Sequence, residues 1–66
     1  MRVRFDEKAD ALYLRLDDSE IAESEEVQPG VVLDFDASNQ VVGVEIRGVK
    51  GRIPIESLRQ IHFAVA

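Results

Sequence analysis

The chain has 66 residues, which allows one domain (residues 1–66) and leaves a thin stability margin, since a chain this short buries only about 60% of its unfolded surface. Thirteen acidic side chains against eight basic ones give a net charge of −5, a field that repels phosphate backbones and anionic lipid and argues against nucleic-acid and membrane partners. Cysteine is absent and His62 is the only histidine, which excludes disulfides, thiol catalysis and a multi-histidine metal site in one chain.

The pattern "RVRF" alternates Val3 and Phe5 against Arg2 and Arg4, and "ALYLRL" alternates Leu12, Leu14 and Leu16 against Tyr13 and Arg15. With Glu7 to Asp10 as the loop, Phe5 faces Leu12, Val3 faces Leu14 and Arg4 faces Tyr13, so every apolar side chain lands on one face. Arg4 over the Tyr13 ring makes a modest cation–π contact. The same register opposes Arg2 to Arg15, a like-charge pair that needs an acidic neighbour. Asp6 and Asp10 flank the turn, where aspartate is favoured by local hydrogen bonding.

"DDSE" (17–20) is the next turn signal, followed by "IAESEEV". Ile21 and Val27 share a parity with Glu23 and Glu25, so a regular strand points two carboxylates inward; a bulge or a sheet edge relieves this. "QPG" (28–30) reads as a type II turn. "VVLDFD" and "VVGVEI" then form a hairpin: a turn at Ser38-Asn39 pairs Phe35 with Val42, Leu33 with Val44 and Val31 with Ile46, with a longer loop as the alternative because Ser-Asn is a poorer two-residue turn than Asn-Gly. Gly43 in mid-strand marks a bulge or a close backbone approach. After the glycine-containing loop "RGVKGR", Ile55, Leu58, Ile61 and His62 fall at helical spacing, with Pro54 suited to a first turn.

These elements predict an α+β fold: an antiparallel β-meander of four to five strands over about residues 2–49, with one C-terminal α-helix over about 54–64. The helix is expected on the face bearing Val3, Phe5, Leu12, Leu14, Leu33, Phe35, Val44 and Ile46. The apolar positions Ile61, Phe63 and Val65 are the candidate oligomer interface, because self-association is the remaining support for so small a cysteine-free domain. No charged-then-apolar leader is seen and no apolar run is long enough to span a bilayer, so a cytoplasmic location is expected.

Charge is concentrated in the middle of the chain. Residues 1–16 carry a net +1, residues 17–36 a net −8 and residues 37–66 a net +2. Glu20, Glu23, Glu25 and Glu26 are therefore the candidate surface for a basic protein partner. Asp34 and Asp36 share a strand face with Glu45 and form the alternative, a Mg²⁺- or Ca²⁺-binding or metal-dependent catalytic site. Alternation alone also places carboxylates on the solvated face of an antiparallel sheet. No nucleophile, base and oxyanion-donor set is assembled and no glycine spacing fits a phosphate, so neither enzyme activity nor a cofactor is expected.

Three ordered segments, "FDEKADALYLRL", "AESEEVQPGVVLDFD" and "VVGVEI", resemble the signature of a family of short bacterial proteins, domain of unknown function 2283. The likeness runs from about Val3 to Ile46, and "DASNQ" departs from it where the family often has glycine in the turn. It implies a compact β-meander without catalytic residues. Since some members are encoded beside small toxin-like proteins, it also implies an antitoxin-like role toward a partner. The combined expectation is a non-catalytic protein–protein interaction module, homodimeric, acting on a basic protein encoded nearby.

Overall fold

A computed structural model describes all residues, 1–66, as one five-stranded antiparallel sheet. The strands are β1 (Arg2–Asp6), β2 (Ala11–Arg15), β3 (Glu23–Gln28), β4 (Val31–Phe35) and β5 (Val41–Arg47). β1 and β2 pair in the expected register, with Val3 opposite Leu14, Arg4 opposite Tyr13 and Phe5 opposite Leu12. Local chemistry makes the turn: the Ala9 N–H donates to Asp6 Oδ1 at 3.0 Å, and Asp10 adopts a left-handed φ of 53°. The Arg2–Arg15 pair finds its acidic neighbours in the following turn. Arg2 Nη2 lies 2.9 Å from Asp18 Oδ1, while the Arg15 guanidinium donates to the carbonyls of Asp17 and Ser19.

β3 is an edge strand with all six residues exposed, and a bulge at Val27 breaks its register against β4. Gly30, at φ 82°, turns the chain into β4. The β4–β5 hairpin keeps Val31 opposite Ile46 and Leu33 opposite Val44, but Phe35 pairs with Val41, not Val42. The two-residue turn is replaced by a longer loop, because Asp36 Oδ1 accepts the N–H groups of both Ser38 and Gln40 at 2.9 Å. Val42 is the extra residue of the resulting bulge and is almost wholly enclosed, 1% exposed.

The meander expectation is corrected by the strand order, β1-β2-β5-β4-β3. Residues 16–22 carry the chain past the sheet, and β5 pairs with β2 in the position a meander gives to β3. The reason is electrostatic. "ESEEVQ" in the centre of a sheet desolvates three carboxylates, whereas at the edge all stay in water. "VVGVEIR", apolar at four of seven positions, takes the enclosed place.

The helix over 54–64 is also corrected, so the fold is mostly β and not α+β. Short 3-10 turns occupy Val49–Gly51 and Ser57–Arg59; Gln60 is extended, and residues 61–66 have no regular structure. The segment carries Ile55, Ile61 and Phe63, weaker helix formers than its Glu, Leu, Arg and Gln residues, and the turn at Ser57 has no side-chain cap. A helix shorter than about 12–15 residues needs a packed face to offset its nucleation cost. Leu58 is the only residue of this stretch even half-buried.

The two faces of the sheet differ in kind. Val3, Leu14, Val44, Leu33 and Glu25 make one cross-strand row on the apolar face, with Phe5, Leu12, Ile46 and Val31 in the next. The opposite face carries the row Arg2, Arg15, Gly43, Asp34 and Ser24, beside Arg4, Tyr13, Glu45, Val32 and Glu26. Residues 52–61 lie across part of the apolar face, and only five of the 66 residues are fully buried. The radius of gyration, 12.8 Å, exceeds the roughly 11 Å of a close-packed chain of this length.

Asp10 ties the first turn to the segment after β5. Its carbonyl accepts the Gly48 N–H and its Oδ1 the Lys50 N–H, both at 2.9 Å. Asp10→Ala, which loses the carboxylate and puts a Cβ-bearing residue without side-chain support at positive φ, is expected to cost about 1–3 kcal/mol in urea unfolding. Asp10→Asn keeps most of that stability.

Candidate functional site

The polar face holds a part-buried hydrogen-bond network that crosses the sheet. Asp34 on β4, 8% exposed, accepts the Tyr13 hydroxyl from β2 on Oδ2 at 2.5 Å and the Ser24 hydroxyl from β3 on Oδ1 at 2.6 Å. β5 separates Tyr13 from Asp34, and the contact is possible because Gly43 sits between them. A Cβ on Gly43 comes within 2.5 Å of Tyr13 Oη and 2.9 Å of Asp34 Oδ2. Glycine is required there for space, not for its backbone angles.

Burial raises the Tyr13 pKa above its ordinary value of 10.0, and the hydrogen bond to Asp34 raises it further. The hydroxyl is thus a donor at any physiological pH and a poor acid. With both Asp34 oxygens engaged and no base or oxyanion donors assembled around Ser24, the trio works as a clip that joins β2, β4 and β3 over β5. No buried side-chain polar atom lacks a partner.

The three sheet-face carboxylates do not come together as a metal site. Asp34 is occupied by its two hydroxyls, Asp36 closes the β4–β5 loop, and Glu45 Oε2 accepts from Arg47 Nε at 3.0 Å. No group of three or more acidic, histidine or cysteine side chains is arranged to hold a metal ion. Beside Tyr13, the side chains of Arg2, Arg4 and Arg15 line an open cleft of about 570 Å³. Each guanidinium has an internal partner, with Arg4 Nη2 3.7 Å from Asp6 Oδ2.

The acidic candidates divide between the faces. Glu23 and Glu25 stand at the β3 rim of the apolar face, opposite Phe35 and Leu33, while Glu26 lies on the polar side, its Oε2 3.9 Å from Arg47 Nη1. Glu20 is exposed in the segment that leads to β3. Next to it, hydrogen bonds from the Ser19 hydroxyl and backbone lower the Asp17 pKa, which keeps this turn anionic.

On the apolar side, Val3, Leu12, Leu14, Val44, Ile46, Leu58 and Ile61 line an open groove of about 320 Å³. Ile61, Phe63 and Val65 are 65%, 71% and 85% exposed, so the candidate interface residues project into solvent. Tyr13 and Ser24 escape a reading of the sequence, because their partner Asp34 lies 21 and 10 residues away. The one available signal is Gly43, a glycine in mid-strand.

A small all-antiparallel sheet with one apolar face, one polar face and an acidic edge is the class of protein these features define. The family described as protein of unknown function (DUF2283) matches residues 2–50, which contain all five strands, and the chain belongs to that family. No curated protein and no solved structure matches it.

Gly43→Ala is expected to destabilise by at least about 2 kcal/mol in urea unfolding, by driving Tyr13 Oη off Asp34. Tyr13→Phe alone is expected to cost about 1–3 kcal/mol. In that background Gly43→Ala costs less, because the nearest clashing atom is gone; equal costs in both backgrounds contradict the clip.

Tyr13 is the only tyrosine, so its phenol absorbance reports it directly. The folded-state pKa lies above the unfolded value, so the Tyr13 contribution to stability is complete below pH 10 and lost as pH rises through the folded pKa. The folded protein is expected to titrate at higher pH than the urea-unfolded chain.

Proposed function

We propose that this protein is a non-catalytic protein–protein interaction module that functions as a homodimer, closing its apolar sheet face against a second copy. The acidic edge stays outside to receive a basic partner, in the manner of an antitoxin. The observation that carries this reading is the single layer. Stable domains bury each apolar face against another layer, and here a five-stranded sheet has only a short irregular strap on its apolar side. A second copy is favoured as occupant because a two-fold axis brings the same apolar face of both subunits together, as in packed pairs of sheets. The margins of that face also carry opposite charges without ion-pair partners in the chain, Glu23 and Glu25 at one side and Arg52 and Arg59 on the strap.

The antitoxin-like part rests on the −8 charge of residues 17–36, of which Glu20, Glu23, Glu25 and Glu26 are all exposed. Such a surface sets the association rate and salt sensitivity of binding more than its final affinity.

Sedimentation equilibrium across a wide concentration range is expected to give a dimer. Val3→Glu, at a position 42% exposed in the single chain, is expected to weaken it at least tenfold with the fold retained. A chain that stays monomeric at all concentrations overturns the reading. For the acidic edge, Glu20→Lys and Glu26→Lys together, which leave the dimer-facing Glu23 and Glu25 in place, are expected to weaken binding to the basic product of an adjacent gene without changing the dimer; unchanged binding removes that part.

A further inference from the structure

The segment after Arg59 has the composition and conformation of a strand that lacks a sheet. Gln60 is extended, at φ −127° and ψ 128°. Beyond it, Ile61, Phe63 and Val65 alternate with His62, Ala64 and Ala66, a period of two whose three large apolar members favour strands. None of the backbone groups of residues 61–66 makes a hydrogen bond within the chain; the last backbone bond runs from the Gln60 N–H to the Ser57 carbonyl at 3.3 Å. With Met1, its three large apolar side chains are the most exposed of their kind in the molecule.

Two edges of the sheet, β1 and β3, present unpaired backbone to such a segment. β3 is protected by its bulge and by three carboxylates. A strand added there with its apolar residues on the apolar face sets them beside Glu23 and Glu25. β1 has an unbroken register and no bulge. Added to β1, Ile61, Phe63 and Val65 continue the apolar rows of Val3 and Phe5, and the small Ala64 falls beside Arg2 and Arg4. Parity therefore selects β1.

It is not the chain's own β1. Gln60 and Ile61 only line the open groove of the chain's own face, Ile61 remaining 65% exposed, and no backbone hydrogen bond joins residues 60–66 to the chain's own β1. Extended, residues 61–66 reach about 20 Å, enough to cross to a β1 edge placed nearby by a two-fold axis.

We infer that Gln60–Ala66 pairs as a sixth strand with β1 of a second copy, the two copies exchanging segments reciprocally. This rests on the homodimer reading and specifies its contact. Each exchanged strand pairs those of its backbone groups that face β1, covers the partner's β1 edge and extends the partner's apolar face.

The native chain has no cysteine, so disulfide trapping in the full-length protein is clean. An Arg4→Cys chain is mixed with a His62→Cys or an Ala64→Cys chain, and Glu26→Cys replaces Arg4→Cys to probe β3. The expected result is a disulfide between the two different chains in at least one Arg4→Cys mixture and in neither Glu26→Cys mixture. Ala64→Pro, which removes a strand N–H at a position exposed in the single chain, is expected to weaken the dimer at least tenfold in sedimentation. A dimer that forms without the Arg4→Cys cross-links, or that Ala64→Pro leaves unchanged, overturns the exchange and spares the face-to-face reading. A monomeric native chain overturns both.

Discussion

A β-sheet with one apolar face needs a second layer on that face, and the residues available for it here are a strap running from Arg52 to Ala66. The strap packs too little of its surface to hold a helix, so it gives one 3-10 turn and the half-buried Leu58. Most features of the chain follow from that shortage. Val3 and Leu16 remain exposed, the groove over Leu12, Leu14, Val44 and Ile46 stays open, and few residues are fully enclosed. An open apolar face on a small domain is also the setting in which association contributes most to stability, since hydrophobic burial scales with the area removed from water.

The polar face solves the opposite problem. There the sheet has no layer to place on it, and cohesion comes from hydrogen bonds within the face. Asp34 gathers one hydroxyl from each side, and Gly43 leaves the room for Tyr13 to reach across β5. The same residue type that weakens a strand by lacking a side chain here permits a contact between strands that are not neighbours. With both carboxylate oxygens engaged and the tyrosine held neutral, the network ties three strands together.

Strand order links the two faces to the acidic edge. By setting β5 between β2 and β4, the chain puts its most enclosed strand at the centre and its most acidic at the rim. That arrangement brings Ser24 within reach of Asp34 on one side and leaves Glu23 and Glu25 in water on the other. A single choice of topology thus builds the clip and the charged margin together.

The alternation of Val3, Phe5, Leu12 and Leu14 was enough to define the first hairpin to the residue, since a one-residue slip moves every side chain to the wrong face. Parity at Glu23 and Glu25 likewise announced a bulge or an edge, and both are present. These are local properties, written in residues close in sequence, as are the turns at Asp6–Asp10 and Pro29–Gly30. The apolar spacing after Pro54 misled because periodicity reports which residues could share a helix face, not whether anything packs against that face. The order of the strands, the pairing of Tyr13 with Asp34 and the role of Gly43 were decided only in the tertiary structure. They depend on which distant segments become neighbours, a choice set by the cost of desolvating β3 in the sheet centre against that of leaving it at the edge.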